Sequence, residues 1–132
     1  MYHDGYGVPS DCRKAIKWYT KSANQGDIAA QYNLGIMYYY GVNLGPIARL
    51  QGNYVPQNYS TAAQWFYKAA NQRNAKAQFF LGDMYYNGHG VQQDFKEAIK
   101  WFKMAAKQGN EKAKKRLKEL GEKSQWSWDS LF

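Results

Sequence analysis

Acid–base or metal chemistry in this sequence would have to be built from very little: two histidines, His3 and His89, and a single cysteine, Cys12, in 132 residues. A catalytic centre needs a nucleophile beside a base, or several metal ligands at workable spacing. The chain has no HExxH, no CxxC and no Walker glycine loop. His89 lies between the glycines of a loop, where it reads as a solvent-facing turn residue rather than a ligand or base. Cys12 sits at a helix start, a place that can lower a thiol's pKa, yet it reads more simply as an unreactive helix-start residue. The segments GYGVPS and GHGVQQ lack the third glycine and the preceding strand of a dinucleotide-binding loop. No catalytic residue, metal or cofactor is expected, which leaves binding.

Two kinds of side chain could carry binding. The first is basic. The formal charge of +8 and the lysines at 96, 100, 103 and 107, followed by Lys112, Lys114, Lys115, Arg116 and Lys118, would suit a surface module for nucleic acid or anionic membrane over residues 96–123. Solvated helix backs and a polar capping helix account for the same residues, Glu111, Glu119 and Glu122 dilute the field, and no recognised nucleic-acid module accompanies it. No specific nucleic-acid partner is expected. The second kind is aromatic. Ala29, Tyr32, Ile36, Tyr39 and Tyr40 recur three or four residues apart, and a later segment places Lys76, Phe79, Asp83, Tyr86 and Asn87 in the same register. On one helix face these form an aromatic groove with polar rims, the composition of a protein-binding hot spot. Tyr32 and Phe79 suit packing between neighbouring helices equally well, whereas Tyr39 and Tyr86 are assigned to the groove.

The elements that must hold this stripe are visible as an internal repeat. AIKWYTKSA at 15–23, AAQWFYKAA at 62–70 and AIKWFKMAA at 98–106 are one segment three times, with Trp18, Trp65 and Trp101 spaced by 47 and then 36 residues. The period is 36, with one insertion of 11. A second segment, AQYNLGIMYYYG at 30–41 and AQFFLGDMYYNG at 77–88, has a cut-off copy in MYHDG at 1–5. Ala62, Trp65, Phe66, Ala69 and Ala70 fall on one face of a 3.6-residue period, as do Ala30, Leu34, Met37 and Tyr38. Gly35 removes a side chain where two helices must approach. The expected repeat core is Trp18, Leu34, Gly35, Tyr38, Trp65, Leu81, Gly82, Tyr85 and Trp101. Gly41 and Gly88 stand where the second segment must end, and Asp11, Asn58 and Asp94 where the first needs an N-cap. Helices are predicted at 11–25, 27–40, 58–72, 74–87, 94–108 and 110–121, with the insertion at 42–52 as a surface loop.

The LG pair with tyrosine four after the leucine, the GxGVxxD loop and the AxxW with a double alanine resemble the Sel-one-like repeat, a relative of the tetratricopeptide repeat. The likeness covers residues 1 to about 118. It implies an all-α, right-handed α/α superhelical solenoid of about three repeats with a C-terminal capping helix. It also implies a scaffold for protein partners, often in bacterial signalling or host contact and in endoplasmic-reticulum quality control. Helix A of each repeat would line the concave wall and hold a peptide or protein segment. A cysteine-rich branch staples its helix pairs with disulfides, and one cysteine cannot do that. By register Met1 falls inside a helix A, so the chain reads as a fragment or a shortened member, and its compartment is left open. No apolar run reaches the roughly 18 residues of a membrane span. The solenoid is expected over 1–121 and an aromatic tail over 122–132, and either the tail (124–132) or the uncapped first helix is expected to favour self-association.

Overall fold

The computed structural model describes residues 12–43, 45–51 and 54–123. Six helices of thirteen residues carry the fold: α1 Cys12–Asn24, α2 Ile28–Tyr40, α4 Tyr59–Asn71, α5 Ala75–Asn87, α6 Phe95–Lys107 and α7 Glu111–Lys123. Each end lies within two residues of the sequence expectation. A short helix, α3 (Ala48–Gln51), and two strands, β1 (Val42–Asn43) and β2 (Tyr54–Val55), make up the insertion. Side-chain caps account for the starts: Asp27, Asn58, Asn74, Asp94 and Asn110 each accept the amide three residues on, at 2.8 to 3.1 Å. Gly41 and Gly88 end α2 and α5 at φ 73° and 72°, a region open to glycine at little cost. Asp11 and the cut-off first copy lie outside the described residues.

The helices form an all-α repeat solenoid. α1, α4 and α6 are the B helices of successive repeats and α2, α5 and α7 the A helices. The most extensive contacts run from each A helix to the next B helix, α2 to α4 and α5 to α6. Phe66 and Phe102 are fully buried there. A Cβ on Gly35 would stand 2.6 Å from the Phe66 ring, and one on Gly82 2.8 Å from that of Phe102. The LG pair is therefore a notch that admits the phenylalanine of the following B helix. α7 carries Lys118 at the notch position and leaves it exposed.

The tryptophans are graded rather than uniformly buried. Trp101 is 4% exposed, Trp65 is half-buried and Trp18 is 54% exposed. Each indole packs backward onto the two helices before it: Trp65 on Ala23 of α1 and Ala30 and Leu34 of α2, and Trp101 on the cluster of α4 and α5. No earlier repeat stands among the described residues, so Trp18, expected in the core, lies on the surface.

The insertion corrects the expected plain loop. β1 and β2 pair antiparallel, Val42 with Val55 and Asn43 with Tyr54. Ala48 and Val55 are buried while Ile47 and Leu50 are exposed; Leu44 lies outside the described residues. The hairpin departs at Gly41, whose ψ is 171° where that of Gly88 is 35°. It returns to the same closure. Gln57 Nε2 donates to the Tyr39 carbonyl at 2.8 Å as Gln93 Nε2 does to that of Tyr86, and the Asn58 and Asp94 amides donate to Tyr38 and Tyr85. Deleting 42–52 would thus set Val55 and Gln57 where Val91 and Gln93 stand, but would put Tyr54 at the place of Gly90, which has φ 78° and presses on the Tyr59 carbonyl. The deletion combined with Tyr54→Gly should keep a single cooperative melt by circular dichroism, and the deletion alone should melt earlier. A broad, non-cooperative melt of the combined variant would make the hairpin part of the core.

Candidate functional site

More of the stripe expected on helix A is used for packing than its spacing suggested. Tyr39 meets the rings of Tyr40 (4.9 Å), Tyr59 (5.2 Å), Phe66 (6.1 Å) and Phe80 (5.2 Å). Tyr32 lies against Phe66 and Phe80, and Ile36 packs on the same cluster. Burial raises the phenol pKa of Tyr32 and of Tyr39, the latter also through nearby Asp83. Tyr40 is different. Its ring is 63% exposed, with Tyr39 and Phe80 behind it. Phe80 ties these together and stacks on Phe66 at 4.8 Å. The sequence stripe omitted it because it lies one residue off the chosen face.

The same lock recurs one repeat on. Arg116 of α7 occupies the place of Phe80. It pairs with Asp83 at 3.1 Å, and its guanidinium lies 5.0 Å from the Tyr86 ring and 5.7 Å from that of Phe102. Phe79 packs against Phe80 and Phe102, and Tyr86 against Phe95. Asn87 Nδ2 donates to the Asp83 carbonyl, and both Asn87 and Lys76 are exposed. Tyr39 and Tyr86 therefore share the inter-helix role that the sequence left open only for Tyr32 and Phe79. The exposed members of the two stripes are Ala29, Tyr40, Lys76 and Asn87.

His89 departs from its expected place in solvent. It is half-buried and stacks on Tyr59 with ring centres 4.6 Å apart and planes 3° from parallel. The loop between α5 and α6 folds back on the start of α4, drawn in by the contact of Gly90 with the Tyr59 backbone. No group of three or more His, Cys, Asp or Glu side chains that could hold a metal occurs among the described residues. None of the described helices is long and apolar enough to cross a membrane.

This architecture of notches, backward-packed indoles and repeated closures can be set beside known proteins. The family model described as the Sel1 repeat matches residues 1–27, 28–47, 42–74 and 75–110. The chain belongs to the Sel1 repeat family. A Sel1 repeat protein from Oxalobacter formigenes is 41% identical, with a TM-score of 0.71 over 88% of this chain and 30% of its own. The Escherichia coli protein c5321, a protective antigen of uropathogenic strains with the same fold, is 34% identical, with a TM-score of 0.75 over 97% of this chain and 26% of its own. A sel1-like repeat-containing protein of Acanthamoeba polyphaga mimivirus is 56% identical over 39 residues, 30% of this chain and 7% of that protein. The chain thus spans less than a third of the length of each of these relatives.

The Sel1 repeats of this chain also carry a polar device that sequence reasoning passed over. Gln31 and Gln78 hold the same place in α2 and α5 and are buried. Gln31 Nε2 donates to the Ala23 carbonyl at 3.0 Å, and its Oε1 accepts from Gln72 Nε2 at 2.8 Å. Gln78 repeats both bonds with the Ala70 carbonyl (3.1 Å) and Gln108 (3.0 Å). Each glutamine spans the last turn of one B helix and the cap of the next. Satisfying both ends of the amide is what permits its burial. The recurring AQ pair, already present in both copies, was the available signal.

Proposed function

We propose that this chain is a non-catalytic interaction module that holds a peptide or protein segment along the wall of its A helices. Sel1 repeat proteins are generally protein-interaction scaffolds. The observation that carries the reading is Tyr40: a large ring presented to solvent and braced by Tyr39 and Phe80, with Lys76 and Asn87 exposed on the next A helix. A stiff, exposed aromatic with polar neighbours offers contact area at low ordering cost. A protective antigen among the solved relatives supports host contact as the setting, with bacterial signalling as the alternative.

The test begins by capturing a partner from lysate of the source organism and measuring its affinity by calorimetry. Tyr40→Ala is expected to weaken binding by about 1 kcal/mol or more while leaving the melt unchanged, and Tyr39→Ala to lower both. Unchanged affinity in Tyr40→Ala would remove the wall from the site. The basic-surface reading draws support from Lys96, Lys100, Lys103 and Lys107, which line a single groove. Binding of nucleic acid or anionic vesicles there would weaken steeply as salt rises, whereas partner binding on the wall would change little.

A further inference from the structure

We propose that the groove between α6 and α7 is a tryptophan slot, filled by this chain's own residues 124–132. Repeat symmetry defines the slot. Trp101 belongs to the buried cluster that includes Ala63, Ala70, Ala77 and Leu81, with its ring 6.1 Å from that of Tyr67. Thirty-six residues on, the same places are held by Ile99, Ala106, Ala113, Leu117 and Lys103. Lys103, Ala106 and Leu117 line a groove of about 810 Å³, with Met104 beside them. A third indole in succession would complete the pattern set by Trp65 and Trp101. The three described tryptophans all lie elsewhere.

Reach and charge select the occupant. Trp126 and Trp128 follow the end of α7 by three and five residues. Leu117 lies about 9 Å back along the helix axis from Lys123, and five extended residues span roughly 17 Å, so either indole can return to it. The segment has one acidic residue, Asp129, and no basic one, and it would enter between Lys96, Lys100, Lys103 and Lys107, with Glu97 the one acidic residue of the lining. Lysine over indole already occurs in this chain, with Lys68 Nζ 5.0 Å from the centre of Trp65. A second copy offering its exposed Trp18 is the other candidate by symmetry. Its α1 helix would bring Arg13, Lys14, Lys17 and Lys21 with no acidic residue, and so set like charges face to face.

Placing the photo-crosslinker benzoylphenylalanine at Met104 of the full chain tests the assignment. Irradiation should give a product of monomer mass joined to residues 124–132. Combining the crosslinker with Trp126→Ala and Trp128→Ala should cut its yield roughly tenfold or more. A product of dimer mass, whichever segment it joins, or no product at all, would overturn the proposal. Should the label at 104 disturb the circular dichroism melt, the same label at exposed Lys100 gives the same readout.

Discussion

Phe102→Ala should lower the unfolding free energy by about 3 to 5 kcal/mol, as expected for emptying a fully enclosed aromatic site. The Phe102 ring has no solvent exposure. It fills the notch over Gly82, touches Phe79 at 5.8 Å and lies beneath the Arg116 guanidinium. Little can collapse into the space, because the facing atoms are helix backbone at Gly82, and the void also loosens the Asp83–Arg116 pair beside it. The same notch predicts that Gly82→Ala is destabilising, since the new methyl would meet the ring at 2.8 Å. Urea melts of both variants check this. A Phe102→Ala midpoint equal to wild type would mean that the interface of α5 and α6 can repack, and the notch would lose its meaning.

Trp101→Ala and Trp18→Ala should differ although both change the same repeat position. The first should cost about 3 to 5 kcal/mol, and the second less than about 1. Trp101 is nearly enclosed and holds α6 to the repeat before it, whereas Trp18 is more than half exposed. The Trp101 indole Nε1 is buried and has no hydrogen-bond partner among the described residues, so the ring is there for its shape. Trp101→Phe should accordingly be milder than Trp101→Ala. Parallel denaturant curves check the ordering, and equal losses for Trp18 and Trp101 would overturn the view that the indoles pack backward.

The sequence made the helices legible because alanine, tryptophan and cap residues repeat in step. Asn58, Asp94, Gly41 and Gly88 mark ends whatever the tertiary setting, and Gly35 signals a close approach because a mid-helix glycine otherwise costs about 1 kcal/mol. What depended on a partner from elsewhere in the chain was harder to read. Tyr39 looks like a free groove residue until Phe80 and Tyr59 are brought against it. Gln31 looks like polar surface until the carbonyl of Ala23 and the amide of Gln72 arrive at its two ends. Trp18 shares its repeat position with Trp101, so periodicity alone could not show that its support comes from a different repeat. His89 was misplaced for the same reason: its neighbour Tyr59 is thirty residues away.

The glutamine ladder has a mechanical side. Gln31 links α2 to α1 and α4 near its start, and Tyr39 packs on α4 and α5 near its end, eight residues or about 12 Å along the axis. Gln78 and Tyr86 repeat the arrangement on α5. A panel hung at two points along its edge can swing but cannot swivel. Two attachments set apart along the helix axis resist rotation of one helix across its neighbour. Gln78→Leu removes one of the two attachments of α5 and leaves the Ala70 carbonyl and the Gln108 amide without their partner, so it should unfold at a lower urea concentration than wild type.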